Sequence, residues 1–464
     1  MQTQRDHMHA YQFSANRLLR SLTDGDPGTG EGPLRRANLG AVFGVLVAVL
    51  LSGGAVLYGL LNPGGDTAWR RSGAIVVEKE TGTRFVYLGG VLRPTANYAS
   101  ARLIAGSGAS SVTYVSQKSL ASVPHGQPVG IPNAPDSLPP ASALLPGSWA
   151  WCLRPGTGQT AGGAGPSGSG VPPQASTVLD LAPAGRTSPV PVNRQILVTA
   201  AGDPSAAGFV LWNDVTYPLG DRAALVALGL GNQQPVLAPA SWLATMPAGP
   251  AFAPAVIRGA GKAGPAIAGR QAKVGELFQT SVAGAEEFYV LRPDGLAPIT
   301  RTEAALFAIR PGAPAPVTVG PADIAAAPAS SDRSLLHRLP DPLSGTGTTF
   351  DPGNSALCVL RNSPGQPAQL TVVTEQQAAI AGAVGVLVPA GRGMLAEPPP
   401  PSPSAVQRPY LITDSGRKYA ITSGSAVAAL GYSSAAPVMI PDEVLQQVPD
   451  GATLDVTAAE EPAP

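Results

Sequence analysis

FVLWNDVTYPLGDRAALVALGLGNQQPVLAPASWLATMPAG, residues 209–249, recurs in diverged form as YLITDSGRKYAITSGSAVAALGYSSAAPVMIPDEVLQQVPDG, residues 410–451. With one inserted residue, Gly416, the same residue types occupy matching positions in both stretches: Tyr217 and Tyr419, Leu228-Gly229 and Leu430-Gly431, Pro235-Val236 and Pro437-Val438, Pro239 and Pro441, Leu243 and Leu445, Pro247 and Pro449, Gly249 and Gly451. A third copy begins FYVLRPDGLAPIT at Phe288, and a fourth, weaker copy begins RFVYLGGVLRP at Arg84. A unit of about 45 residues that occurs several times predicts an architecture of packed repeats.

Each copy is predicted to form a strand, a turn, a second strand, a short helix, a third strand and another short helix. The turn sequences DSG and PDG contain residues that tolerate positive φ in tight hairpins. AVAALG places helix formers before a glycine, which is typical of a helix C-terminus. A unit this small cannot bury a core of its own, so the copies must pack against other parts of the chain.

The segments between the copies are also repeated. SWAWCLRP, TVLDLAP and QILVTA follow the copy that begins at Arg84. ALCVLR, AQLTVV and VGVLVPA follow the copy that begins at Phe288 in the same order. We therefore predict an α+β fold in which a duplicated unit, repeat–sheet half–repeat, places four β-rich repeats of about 45 residues around a central β-sheet. The two sheet halves would be related by a pseudo-two-fold axis, and the domain would be elongated.

A separate run, LGAVFGVLVAVLLSGGAVLYGLL at residues 39–61, contains no charged residue and follows Arg35 and Arg36 directly. As a helix it would be about 34 Å long, and the hydrocarbon core of a bilayer is about 30 Å thick. A buried core helix is one alternative, but the length and purity of the run disfavour it. A cleaved signal peptide is another, but the run is too long and too far from Met1, and it lacks a convincing A-x-A site. The sequence predicts a single transmembrane helix.

The charges on either side of this run predict its orientation. The preceding arm, residues 1–38, holds five arginines: Arg5, Arg17, Arg20, Arg35 and Arg36. The positive-inside rule keeps such an arm in the cytoplasm, and long domains cross the membrane largely regardless of their charge. We therefore expect a plasma-membrane protein with a cytoplasmic N-terminus and the repeats on the exterior side.

Cys152 and Cys358 are the two cysteines of the chain, and each lies in an apolar run of the duplicated sheet halves. One even pair in an oxidising compartment predicts a disulfide, which would link the two halves of the central sheet. Two independent buried thiols are the alternative.

The cytoplasmic arm has an amphipathic pattern. In HAYQFSANRLLRSL the apolar residues recur at helical spacing: Tyr11, Ala15, Leu18, Leu19 and Leu22. Arg17 and Arg20 lie off this stripe. Since the arm has no core of its own, either a partner protein or the lipid surface must cover the stripe, and we favour a partner.

No chemistry-bearing motif is recognisable. The net charge is 0 with 13% charged residues, which gives no basic field for nucleic acid. GAGKAG at residues 259–264 lacks the spacing and the Ser or Thr of a phosphate-binding loop and is interpreted as a flexible connector. His125 and His337 stand alone, so no metal cluster or catalytic triad can be assembled. We predict no catalytic residue, no metal and no cofactor.

These patterns predict a division of the chain into eleven segments. They are a cytoplasmic arm (1–38), a transmembrane helix (39–61), a linker (62–81), repeat 1 (82–136), the first half of the central sheet with a flexible insertion (137–204), repeat 2 (205–255), repeat 3 (268–330), the second half of the central sheet (331–395), a Pro-rich linker (396–409), repeat 4 (410–455) and a frayed tail (456–464). Residues 156–174 and 397–409 are expected to be unstructured.

The chain resembles the EccB family, the membrane-anchored component of the type VII (ESX) secretion machinery of actinobacteria. The resemblance covers essentially the whole chain, including the Q-x-x-A and R-L-L residues of the arm. VGIPNAPDSLP at residues 129–139 is similar to the family signature I-P-x-A-P-D-S-L-P. LGGVLRPTANYASARLI at residues 88–104 and the two cysteines are also similar to family features.

The resemblance implies a structural and assembly subunit of the secretion machine. It implies assembly with EccC-, EccD- and EccE-like subunits in the lipid bilayer, self-association, and an exterior domain of four repeats around a disulfide-linked central sheet. Some family members are labelled ATPases, although this sequence has no phosphate loop and the exterior holds almost no ATP. The alternatives are an exterior ATPase or hydrolase, which would show turnover that depends on one carboxylate, and a cell-wall-binding module, which would retain peptidoglycan.

Overall fold

The computed structural model describes residues 4–24, 34–61, 69–108, 112–154, 176–202, 208–345, 349–362, 370–381, 385–402 and 407–463. Contacts divide the chain into two compact units. The first comprises Met1–Thr67 and Val115–Ser122, and the second comprises Ala68–Tyr114 and Val123–Pro464.

Two long helices, α1 (Gln4–Asp24) and α2 (Leu34–Leu61), make up most of the described part of the first unit. Within α2, Asn38–Tyr58 has a mean hydropathy of 2.3 and is long and apolar enough to cross a membrane. Protein groups bury 0% of this stretch, so its side chains are available to lipid. The helix includes the predicted span of residues 39–61 and begins more than one turn earlier.

Four four-stranded sheets of the chain have one strand order: third, second, first, fourth. The first three strands form an antiparallel meander, and in the second, third and fourth sheets the fourth strand pairs in parallel with the first. The strands of the first two sheets are β1 (Ala74–Glu78), β2 (Arg84–Leu88), β3 (Val91–Pro94) and β4 (Val112–Val115), then β8 (Gln195–Ala200), β9 (Phe209–Trp212), β10 (Val215–Pro218) and β11 (Val236–Ala238). Those of the last two are β14 (Leu277–Val282), β15 (Ala285–Arg292), β16 (Gly295–Ile299) and β17 (Val317–Thr318), then β21 (Gly393–Glu397), β22 (Tyr410–Thr413), β23 (Lys418–Ala420) and β24 (Val438–Met439).

A helix follows the third strand of each of these sheets, and a polar residue caps the N-terminus of each helix. The side chains of Asn97, Asp221, Thr300 and Ser423 each accept a hydrogen bond from the backbone N–H three residues later. The helices that follow these caps are α3 (Tyr98–Ala105), α5 (Arg222–Ala227), α7 (Arg301–Ala308) and α10 (Gly424–Leu430). The helices that follow the fourth strands are α4 (Gln117–Leu120), α6 (Ala240–Ala244), α8 (Pro321–Ala326) and α11 (Asp442–Leu445).

The tyrosines and glycines shared by residues 209–249 and 410–451 pack against each other. After α6 and α11 the chain returns beside the third strand and forms parallel β-bridges with it. A Cβ atom built on Gly249 would lie 2.2 Å from the ring of Tyr217, and one built on Gly451 would lie 2.3 Å from the ring of Tyr419. The glycines are therefore required by the close approach of the returning backbone to the tyrosine ring.

The central sheet has six strands in the order β20-β6-β5-β18-β19-β7. They are β5 (Trp149–Leu153), β6 (Thr177–Asp180), β7 (Thr187–Pro189), β18 (Ala356–Arg361), β19 (Leu370–Glu375) and β20 (Gly385–Leu387). The innermost pair, β5 and β18, is antiparallel, and each is flanked by an antiparallel neighbour from its own part of the chain. The order of these four strands is thus symmetric, whereas the outer strands differ: β7 is antiparallel to β19 and β20 is parallel to β6.

The two faces of the central sheet belong to different clusters. On one face Trp151, Leu357 and Val359 pack with Trp242 of α6 and Val444 of α11 in a large apolar core. The opposite face, with alternate residues of the same strands, holds a smaller cluster that includes both cysteines and Ile380 of α9 (Gln377–Ile380).

The sequence prediction is wrong about which sheet two strands join. QILVTA forms β8, which pairs with β9 and β11 in the second four-stranded sheet rather than in the central sheet. β21 likewise begins the fourth sheet, although its first residues were predicted to be in the central sheet. Strands buried on both faces are near-continuous apolar runs in either location, so their pattern does not reveal their partners.

The expectation of a frayed tail at residues 456–464 is also wrong. Residues Val456–Glu460 form α12, which Asp455 caps by accepting a hydrogen bond from the backbone N–H of Ala458. Ala459 is fully buried in a cluster with residues of α3 and α10. Ala463 N then donates to Pro128 O at 2.9 Å, which ties the last described residue to the segment after the first sheet.

GAGKAG, which was interpreted as a flexible connector, is an ordered turn that leads into a strand. Gly261 N donates to Val274 O and Val274 N donates to Lys262 O, at 2.8 and 2.9 Å. The next residues form β12 (Ala263–Ile267), which pairs with β13 (Arg270–Lys273) in a two-stranded sheet. Of the predicted unstructured stretches, residues 156–174 lie outside the described residues, and Glu397 belongs to β21.

Candidate functional site

The cysteines meet at the centre of the six-stranded sheet. Cys152 of β5 lies directly opposite Cys358 of β18 in the antiparallel register, and the two sulfurs are bonded, which confirms the predicted disulfide. Both residues are 0% exposed. The bond joins residues 206 apart in sequence and therefore links the two parts of the chain that supply the sheet.

Two buried carboxylates lie beside this bond, at the ends of the flanking strands. Asp180 ends β6 and Glu375 ends β19, and both are 0% exposed. Arg186 forms an ion pair with Asp180, and its Nε lies 3.3 Å from Glu375 Oε1. The other oxygen, Glu375 Oε2, lies 3.1 Å from Cys152 Sγ.

The surroundings of Glu375 favour its protonated form. Burial is the main cause that raises the pKa of Glu375 to about 7, with the hydrogen bond and the charge of Asp180 next, while Arg186 opposes the shift. A disulfide sulfur has no proton to donate, so the contact with Cys152 can be a hydrogen bond only when Glu375 is protonated. The folded state therefore binds this proton more tightly than the unfolded chain does.

The site is therefore a disulfide with an ionisable carboxyl group, that of Glu375, beside one of its sulfurs. The sulfurs and a carboxylate oxygen of Glu375 lie within 4.8 Å of one another, close enough to hold a metal ion in principle. Because the sulfurs are bonded to each other, they provide no thiolate ligands in this state. Sequence reasoning missed Asp180, Arg186 and Glu375; the available signal was an acidic residue at the end of each apolar run, TVLD and LTVVTE.

We expect Glu375→Gln to flatten the pH dependence of stability between about pH 5 and 8. A carboxyl whose pKa is raised from 4.5 to about 7 binds more protons in the folded state, so stability falls as pH rises through this window. The neutral amide removes the cost of ionisation, which should stabilise the variant relative to the wild type by on the order of 1–3 kcal/mol at pH 8 and by little at pH 5.

Urea unfolding of the full-length chain in detergent, followed by tryptophan fluorescence, measures this difference. The exposed Glu460 provides the matched control, since Glu460→Gln should leave the pH profile unchanged. Identical pH profiles for the wild type and Glu375→Gln would refute the assignment.

The family signature segment of residues 129–139 closes the N-terminus of α3. Asp136 Oδ1 accepts from Tyr98 N at 3.3 Å and from Arg84 Nη1 at 2.8 Å, and Pro135 O accepts from Ala99 N. An aspartate occupies the same place at α7, where Asp341 Oδ1 accepts from Thr302 N at 3.0 Å. The N-termini of these two helices are thus filled by protein oxygens, not left open to a phosphate group.

α1 is a continuous helix that presents its apolar stripe to solvent. Tyr11, Leu18, Leu19 and Leu22 are between 61% and 80% exposed. Ala15 lies among them and is partly exposed. Met8, 61% exposed and three residues before Tyr11, extends the stripe by one turn and was not selected from the sequence.

One apolar span, an exposed amphipathic arm and a large domain of small mixed sheets crosslinked by a buried disulfide define a single-span membrane protein with α+β architecture. The sequence model of the family described as "Type VII secretion system ESX-1, transport TM domain B" matches residues 1–462. The chain belongs to this family, EccB, and is a membrane component of a type VII secretion system.

Curated relatives match over nearly the whole chain. ESX-3 secretion system ATPase EccB3 of Mycolicibacterium smegmatis is 28% identical over 97% of this chain and 89% of the relative. ESX-1 secretion system ATPase EccB1 of Mycobacterium tuberculosis is 26% identical over 98% of this chain and 94% of the relative.

Solved structures with the same fold come from the same machinery. A chain of the intact ESX-5 inner membrane complex has a TM-score of 0.63 at 22% identity, covering 100% of this chain and 96% of that one. The EccB3 dimer from the ESX-3 core complex has a TM-score of 0.61 at 26% identity, covering 84% of this chain and 100% of that one.

Proposed function

We propose that this chain is a structural subunit that assembles the secretion machine from both sides of the membrane. Its arm would bind EccC-, EccD- or EccE-like subunits in the cytoplasm, and its large domain would associate with further copies of itself on the exterior side. The observation that carries the proposal is the exposed stripe of α1, because apolar side chains that are 61–80% exposed in water require a cover. The EccB3 dimer supports the self-association.

The proposed architecture of the large domain is a duplicated unit, with a four-stranded sheet on each side of each central half. The shared strand order supports it, with the first strand added to the predicted boundaries of repeats 1, 2 and 4. A second recurrence also supports it: APDSL at residues 134–138 and LPDPL at residues 339–343 place Asp136 and Asp341 at the N-termini of the equivalent helices α3 and α7. The third sheet lacks the tyrosine–glycine pair of the second and fourth sheets. Ala297 occupies the position of the tyrosine, and Ser330 occupies the position of the glycine.

Several relatives carry the word ATPase in their names. ATP hydrolysis needs a set of phosphate donors, commonly backbone N–H groups of a glycine loop that opens a helix. In the described part of this chain GAGKAG leads into β12, and oxygens of Asp136 and Asp341 occupy the N-termini of α3 and α7. These contacts favour an assembly role over ATP hydrolysis for the large domain.

Replacing Leu18 and Leu19 together by aspartate should release the cytoplasmic partners. Two charges on the stripe would have to be desolvated in any complex, so we expect co-purification of EccC- or EccD-like subunits from detergent to fall at least about tenfold. Membrane insertion should be retained, since α2 is unchanged.

Phe13→Asp/Asn16→Asp is the matched control, because it adds the same two charges to α1 off the stripe. Phe13 is 69% exposed, so its replacement removes no buried contact within the chain. Equal retention of partners by both variants would contradict the proposed role of the stripe.

A further inference from the structure

The third four-stranded sheet carries a ribbon that extends beyond its neighbours. β14 and β15 pair as far as Val282 and Ala285, on either side of a two-residue turn. β16 pairs with β15 only from Phe288 onward, and β17 pairs with β14 only at Phe278 and Gln279. Residues 280–287, named here the acidic ribbon, therefore have two edges that no described strand covers.

A second ribbon lies immediately before this sheet in sequence. β12 and β13 form a sheet of their own, so both of their outer edges lack a described strand partner. This hairpin and the turn before it, residues 258–273, are named here the basic ribbon. A sheet edge with unpaired N–H and C=O groups is a template on which another strand can add.

The two ribbons carry opposite charge. The acidic ribbon exposes Glu286 and Glu287 next to each other. Glu286 pairs with Arg301 at 2.9 Å in a half-exposed ion pair, and Tyr289 Oη donates to Glu287 Oε2 at 2.7 Å. Both contacts leave the carboxylates open to solvent and to a second partner.

The basic ribbon exposes Arg258, Lys262, Arg270 and Lys273. Arg270 is engaged by Glu276 at 2.6 Å. Lys262 lies diagonally across the hairpin from Lys273, since Ala263 lies opposite Lys273 and Val274 N donates to Lys262 O. The exposed charge of this ribbon is therefore positive.

Like charges placed opposite each other across strands are unfavourable, whereas opposite charges are favourable. Pairing of a ribbon with the same ribbon of another copy would therefore bring like charges together. Pairing of an acidic ribbon with a basic ribbon would bring opposite charges together. A groove of about 1030 Å³, lined by Glu287, Tyr289 and Arg301 among others, lies along the acidic ribbon.

We propose that the acidic ribbon of one copy of this chain binds the basic ribbon of a second copy, edge to edge. The contact is heterologous, because different surfaces of the two copies meet, and such contacts close into rings when the rotation between copies allows it. The inference rests on the proposed self-association and adds the surfaces that make it.

Charge reversal on the full-length chain in detergent tests the contact. One variant, Glu286→Lys/Glu287→Lys, makes the acidic ribbon basic. The other, Lys262→Glu/Lys273→Glu, offsets the two arginines of the basic ribbon with two carboxylates and so removes its net positive charge. Each alone should associate with itself at least about tenfold more weakly than the wild type, as measured by size-exclusion chromatography with light scattering over a concentration series. An equimolar mixture of the two variants should associate again, because each supplies the ribbon that the other lacks.

Lys79→Glu/Lys118→Glu is the control for Lys262→Glu/Lys273→Glu, since it changes the net charge of the chain by the same amount at other exposed lysines. It should associate as the wild type does. The proposal is overturned if either reversed variant associates like the wild type, if the mixture stays dissociated, or if the wild type itself does not associate. Co-purification with cytoplasmic partners is measured in parallel, so a wrong contact can be distinguished from a wrong assembly role.

Discussion

Replacing Cys152 and Cys358 together by alanine is expected to lower the free energy of unfolding by up to about 5 kcal/mol, because the disulfide closes a very long loop in the unfolded chain. The two residues are 206 apart, and the loss of loop entropy grows with the logarithm of this separation. The folded sheet should persist, since β5 and β18 also pair through their backbones over five residue pairs.

Urea unfolding of the full-length chain, followed by tryptophan fluorescence, reports directly on this sheet. Trp149 and Trp151 lie in the same strand as Cys152 and are 0% exposed. Cys152→Ala alone should cost about as much as the double change, since either removes the crosslink. A double variant as stable as the wild type would show that the bond adds nothing to the free energy of unfolding.

The sequence predicts the framework of this fold because its signals are local or duplicated. Paired cysteines in apolar runs predict the disulfide, and the 23-residue uncharged run predicts the span. Tyr217 and Gly249 recur as Tyr419 and Gly451 because each glycine must admit a tyrosine ring. Such close contacts restrict residue type strongly enough to remain visible in one sequence.

The features that the sequence does not predict depend on distant partners. Glu375 ends an ordinary strand, and only the fold brings it within 3.1 Å of Cys152. Asp455 and the alanines after it are typical of a helix N-terminus. Five residues, however, do not form a stable helix without a surface to pack on. That surface includes α3, more than 300 residues earlier, and no local pattern indicates it.

Arg338→Ala is expected to destabilise the chain by about 3–5 kcal/mol, because it leaves a buried carboxylate without its cation. Glu303 of α7 is 0% exposed, and both of its oxygens accept from Arg338, at 2.7 and 2.8 Å. Arg338 Nη2 also donates to Ala253 O at 2.7 Å, which ties the chain after the second sheet to the helix of the third. One side chain thus satisfies a charge and joins two parts of the domain.

Two further variants distinguish the cost of leaving a buried charge unpaired from the cost of losing a surface ion pair. Arg301→Ala removes the pair with Glu286, in which both side chains are about half exposed, and should cost no more than about 1 kcal/mol. Glu303→Met/Arg338→Met removes both charges of the buried pair and should recover much of the loss, since no carboxylate is then left unpaired. If Arg338→Ala costs no more than Arg301→Ala in thermal unfolding, the buried ion pair with Glu303 adds no more to stability than a surface ion pair does.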